Sequence, residues 1–213
     1  MKLTVFGLSI SSAWGNGHAT LLRGLFRALH AKGHEIHFFE RDTPYYAAHR
    51  DAPSLPYVNI HLYHAWSDSL PLVRKLLAES EVAMVTSYCP DGAAACELVL
   101  DANVKRSLFY DLDTPVTLSR LAQGEIPSYL PAQGLAGFDL VLSYTGGEAL
   151  GQLSSRLGAR TVASLYGWVD PEIHSRVPAC PEFRSDLSYL GTYAADRQKS
   201  LEDLLIKPAR ELP

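Results

Sequence analysis

Short runs of β-branched and aromatic residues alternate with helical patterns along most of this chain, and no other feature constrains its fold as strongly. A β-run, an amphipathic stripe and a second β-run make a βαβ unit, and repeated units build a parallel sheet with right-handed crossovers. Strands are predicted at Leu3 to Ser9, Glu35 to Glu40, Val58 to Tyr63, Val82 to Ser87, Arg106 to Tyr110, Leu140 to Tyr144 and Thr161 to Leu165. Most of them read as near-continuous apolar runs, as expected of strands covered on both faces. Between the first two, Leu21, Leu22, Leu25, Phe26 and Leu29 recur on one helical face, and Gly33 is placed to end the helix. The expected fold class is α/β, a doubly wound parallel sheet of Rossmann-like type.

The pattern changes at Val177-Pro178-Ala179-Cys180-Pro181, where two prolines remove backbone donors and suit a linker. Residues 1–176 are therefore expected to form one domain and 177–185 a linker. In 186–213, Asp186 to Thr192 reads as a strand, and Leu201, Leu204 and Leu205 give the following helix its apolar stripe. A lone strand and helix have no sheet to pack on. The segment is expected to begin a second domain that continues past Pro213, or to dock on the first domain or on a partner.

Composition narrows the partners. A chain of 213 residues that is 47% hydrophobic can bury a real core, and 19 basic against 23 acidic residues, net −4, argue against nucleic acid. Cys89, Cys96 and Cys180 form no CxxC pair and are odd in number, so neither a disulfide framework nor a zinc site is suggested and a reducing cytoplasm fits. Ser11, Ser12, Trp14, Gly15 and Asn16 follow the apolar start too soon for a membrane span.

In an open parallel sheet ligands bind beyond the carboxyl ends of the strands, which makes the following loops the candidate sites. The first is Ser11-Ser12-Ala13-Trp14-Gly15-Asn16-Gly17-His18, leading into a helix N-terminus that favours an anion. Its bland reading is a flexible turn with His18 as a cap. Gly15-Asn16-Gly17 with Glu40 also suggests a dinucleotide fingerprint, but Thr20 replaces the third glycine and the loop is long for that turn, so a dinucleotide-dependent oxidoreductase ranks low. Ser87-Tyr88-Cys89-Pro90-Asp91-Gly92 is the second loop, with Cys89 read as inert. Asp111-Leu112-Asp113-Thr114-Pro115 is the third, where one aspartate suits an N-cap and the pair could also act on sugar hydroxyls or as a base. Thr145, Gly146 and Gly147 could offer amides to a phosphate or form a plain turn, and Tyr166-Gly167-Trp168-Val169-Asp170 closes the series.

Taken together, GNGHATLLRGLFRALHAKGH, FFERDTPYYAAHRD, TSYCPDG, FYDLDTP, LVLSYTGG, LYGWVDPEIH and DLSYLGTYAADRQ resemble the CgeB-like spore-protein family of GT-B-type glycosyltransferases over essentially the whole chain. The resemblance implies two Rossmann-like domains facing across a cleft, this chain being the acceptor-side half and most donor contacts lying beyond Pro213. It implies a nucleotide-sugar donor as substrate, a small-molecule or glycan acceptor, and no bound metal or other cofactor. A homo-oligomer is compatible with it. Carried over by position, His18, Asp111 and Asp113 are the expected catalytic residues, and Gly15, Asn16, Gly17, Thr145, Gly146 and Gly147 the expected substrate-binding ones. The alternative of another class is a non-catalytic α/β binding or assembly module.

Overall fold

The computed structural model describes residues 1–191, 193 and 195–211. Seven strands, β1 (Lys2–Gly7), β2 (Glu35–Arg41), β3 (Asn59–Tyr63), β4 (Val82–Thr86), β5 (Arg106–Asp111), β6 (Leu140–Ser143) and β7 (Val162–Ser164), form one sheet, each within two residues of its predicted bounds. Every neighbouring pair is parallel, and the order is β3-β2-β1-β4-β5-β6-β7. The chain is a doubly wound Rossmann-like α/β fold.

Helices α1 (Gly17–Ala31), α2 (Pro44–Ala47), α3 (Trp66–Glu79), α4 (Gly92–Asp101), α5 (Thr114–Ala122) and α6 (Glu148–Leu157) fill the crossovers. Leu22 and Phe26 of α1 pack with Val5, Ile36, Phe38 and Tyr110 in one core layer. On the opposite layer, Val73 and Leu77 of α3, Cys96 and Val99 of α4 and Leu153 of α6 pack with Phe6, Phe39, Val85 and Phe109. Val5 and Phe6, adjacent residues of central strand β1, are both fully buried, which is why that strand reads as unbroken apolar sequence. At Gly92 another segment's backbone comes close: a Cβ there would lie 2.7 Å from the Tyr129 Cα, so α4 docks on the 123–139 connection only through glycine.

The chain divides into two compact units, Met1–Ile173 and His174–Pro213. In the second, residues 186–191 form no strand, and Thr192 lies outside the described residues. The β-pattern there fails because an extended segment without a neighbouring edge leaves its ladder groups unpaired. The helical pattern holds: α7 (Gln198–Leu201), a π-turn at Glu202–Ile206 and α8 (Lys207–Glu211) run on continuously. Asp203 pairs with both Lys199 and Lys207 at i,i+4 spacing. Ser188, Tyr189, Leu201, Leu204 and Leu205 line a depression of about 320 Å³ within this unit.

All three cysteines are free, Cys89 and Cys96 buried and Cys180 exposed. Burial pushes the Cys89 thiol up to about 12 and raises Cys96 as well. No helix of the described residues is long and apolar enough to cross a membrane.

Candidate functional site

The strand order places the reversal of winding between β1 and β4, because the chain runs outward through β2 and β3 on one side and through β5 to β7 on the other. In doubly wound sheets the loops beyond the carboxyl ends of the strands at such a reversal part in opposite directions, which makes the ends of β1 and β4 the expected place of a ligand crevice. Helices α1 and α4 begin there, and neither has a side-chain N-cap bond.

The loop after β1 is fastened from within. Glu40, fully buried at the end of β2, accepts hydrogen bonds from Ser9 Oγ (2.8 Å), Ile10 N (2.8 Å), Ser11 N (3.0 Å) and Ser11 Oγ. Both of its oxygens are thereby occupied. A ribose-binding acid must offer the same oxygens to a cofactor, so the geometry opposes the dinucleotide reading. Arg23 donates from Nε to the Ile10 carbonyl at 2.7 Å and pairs with Asp51. Asp51 also accepts the Ala13 amide, and the Arg23 guanidinium, the larger cause, holds its carboxyl down at about 2. Asn16, 5% exposed, donates Nδ2 to the carbonyls of Ser9 and Ser12, so its amide hydrogens belong to the loop and not to a ligand. Gly15, at φ +60°, and Gly17 are exposed, and nothing lies within 4 Å of where a Gly17 Cβ would be.

His18, in the first turn of α1, is half-buried beside Tyr88, their ring centroids 5.6 Å apart. Burial lowers its pKa, and the nearby Asp113 charge works in the opposite direction. The sequence-predicted His18 and Asp113 thus come together, although they are distant in the chain. Asp113 occupies the N-cap position of α5, yet its side chain makes no capping bond; Oδ2 accepts the Tyr88 hydroxyl at 3.1 Å instead.

Asp111 is placed differently. It is fully buried, Oδ1 accepts Thr117 Oγ1 at 3.0 Å and the Asp113 amide at 3.3 Å, and burial raises its pKa against those hydrogen bonds. Its position supports the start of α5 beneath the crevice and does not present a carboxylate to substrate. The carboxylates of Asp111 and Asp113 are engaged by different groups, and among the described residues no cluster of three His, Cys, Asp or Glu is arranged to hold a metal.

At the end of β6, Ser143 Oγ donates to the Thr145 carbonyl at 2.6 Å and accepts the Thr145 amide at 3.0 Å. Thr114 Oγ1 meets the same hydroxyl at 2.7 Å, which ties this loop to α5. Thr145 is therefore part of a turn, its amide already used. Gly147 takes φ 65° and ψ −139° at the N-cap of α6, a region open essentially only to glycine. Tyr166 lies across Gly146, and Tyr144 lies across Gly167, so the ends of β6 and β7 clasp one another.

The Tyr166 to Asp170 turn packs along α1. Trp168 Nε1 donates to the Leu21 carbonyl at 3.1 Å, and Asp170 pairs with Arg27 at 3.1 Å. Aromatic groups also rim the first loop: Trp14, 58% exposed, stacks on His49 with centroids 4.7 Å apart, and Tyr45 is 54% exposed.

Sequence reasoning missed Tyr88 as a site residue because its importance lies in backbone conformation and in a contact across strands, neither of which leaves a local pattern. It also missed Arg23, Asp51, Ser9 and Ser11 as loop fasteners. The chain matches no family model, and no curated protein matches it at a significant level.

Proposed function

We propose that this chain forms the acceptor-side half of a nucleotide-sugar-dependent glycosyltransferase of the GT-B type, with His18 as its base. The observation that supports the reading is the imidazole of His18, kept neutral by burial, standing in the first turn of α1 at the switch point with the Asp113 carboxylate nearby. A neutral imidazole accepts a proton from an acceptor hydroxyl; the acceptor oxygen then bonds the anomeric carbon as that carbon's bond to the diphosphate breaks, and the electron pair leaves with the nucleoside diphosphate. The Asp113 charge stabilises the imidazolium that results. Gly15 and Gly17 leave room beside the α1 N-terminus, whose partial positive charge suits the departing phosphate. Exposed Trp14 and Tyr45 give the acceptor side flat faces with polar tips.

The test is transfer by the native polypeptide that carries this chain, assayed as nucleoside diphosphate release from a panel of nucleotide sugars with mixed hydroxyl acceptors. Acceptor-dependent release that falls by about 100-fold in His18→Ala is the expected result. Ligand binding without release from any donor overturns the enzyme reading in favour of a binding module.

A further inference from the structure

Among the described residues only Tyr88 and Asn103 combine a side chain with positive φ, at 65° and 50°. Asparagine tolerates the left-handed region because its short polar side chain bonds locally; tyrosine does not, and the conformation costs roughly 1 kcal/mol or more. Glycine is the residue the backbone calls for at position 88. A tyrosine held there against that preference is explained by what its side chain reaches. It reaches three things: its hydroxyl donates to Asp113 Oδ2 at 3.1 Å, its ring lies against His18 at 5.6 Å, and it packs on Tyr129 at 5.4 Å. The three come from the entrance to α5, from the first turn of α1 and from the 123–139 connection, so one side chain joins both banks of the crevice.

We infer that Tyr88 is a positioning residue, which spends its hydroxyl on Asp113 to hold that carboxylate beside His18 and uses its ring as one wall of the imidazole's pocket. The part this plays in turnover rests on the proposal that His18 is the reacting base; the positioning itself does not. Among the described residues the hydrogen bond fixing the Asp113 side chain comes from this hydroxyl, since Asp113 makes no capping bond to α5. The charged and titratable groups facing Tyr88 are His18, Asp113, Tyr129, Asp111 and, at longer range, Arg120. Of these, Asp113 alone contributes an attraction that favours the His18 imidazolium.

The experiment is a proton NMR titration of His18 in the full chain, assigned with a His18→Gln variant, for the parent, Tyr88→Phe, Asp113→Asn and the double variant. Tyr88→Phe keeps the ring and its packing, so it folds as the parent does. Both single variants are expected to shift the His18 midpoint downward, and the double variant to match Asp113→Asn alone, because the hydroxyl acts only through the carboxylate. A His18 midpoint that is unchanged or raised in Tyr88→Phe overturns the inference, as does additivity in the double variant. In the native polypeptide, Tyr88→Phe is further expected to lower kcat about 10-fold with little change in KM. If no donor is turned over, the transferase reading falls while the titration still decides the role of Tyr88.

Discussion

Arg23 grips Asp51 at both ends of its guanidinium, Nη1 to Oδ2 at 2.8 Å and Nη2 to Oδ1 at 2.9 Å. The same carboxylate takes the Ala13 amide, so this pair is the outer clasp of the loop that carries Trp14 to Gly17. Asp51 is depressed in the folded state to about 2, and its contribution to stability is therefore present above its unfolded value near 4. That contribution is lost as pH falls from about 4 through about 2, where the unfolded chain binds the proton more tightly. Half-exposure and salt screening keep it small, about 1 kcal/mol. Urea unfolding of Asp51→Asn and the parent at pH 6 and pH 2.5 should show a difference at the higher pH that narrows at the lower one.

Glu40 is the inner clasp. Glu40→Gln keeps the shape but turns one carboxylate oxygen into an amide that cannot accept, so it confronts the donors of Ser9, Ser11 and Ile10. We expect a loss of about 2–4 kcal/mol in denaturant unfolding. A variant as stable as the parent would show that the loop does not depend on this carboxylate.

Gly92→Ala should be costly for a different reason. Its Cβ would meet the Tyr129 backbone at 2.7 Å, and backbone on both sides leaves no flexible side chain to yield. A loss of about 1–3 kcal/mol follows, with reduced hydrogen-exchange protection over 92–101 and around Tyr129.

Because His18 titrates below the ordinary imidazole value of about 6.5, it is already neutral at pH 7. On the proposal that His18 is the reacting base, turnover by the native polypeptide should rise with pH on the acid side, over a range set below that of an ordinary imidazole. The same depression means that protonating His18 opposes folding, so its stabilising contribution is present above about 6.5 and is lost as pH falls below it. In His18→Ala the acid limb of the pH profile should disappear, and the melting temperature should change little. An acid limb that survives the substitution belongs to another group.

The sheet was legible because its strands read as apolar runs and six of the seven are followed by a helix, β7 being the exception. Val82 to Ser87 is an example: the run has no alternation, so it had to be covered on both faces, and α3 and α4 supply one of the covers. The tail from Asp186 shows where that logic stops. An apolar run is a strand only if an edge is available to it, and a sequence pattern does not contain the edge. The site was legible as loops, since winding order alone predicts where a crevice opens. It was not legible as side chains. Asp111 and Asp113 are two residues apart and look equivalent, yet one points under α5 and the other across to Tyr88, a distinction made by the end of β5 and the start of α5. Asn16 was expected to bind substrate, but whether an amide faces a ligand or its own loop depends on how Glu40 folds that loop.

The two thiols buried in the first unit have a use in following the molecule's motions. Cys89 and Cys96 hold their protons too tightly and lie too deep to meet an alkylating reagent, whereas Cys180 stands in solvent. A native sample should take up one label quickly and then pause. The second and third labels can be added only when the core layer that buries Cys89 and Cys96 opens, so their rate is a direct clock for that opening, readable by mass without any engineered probe.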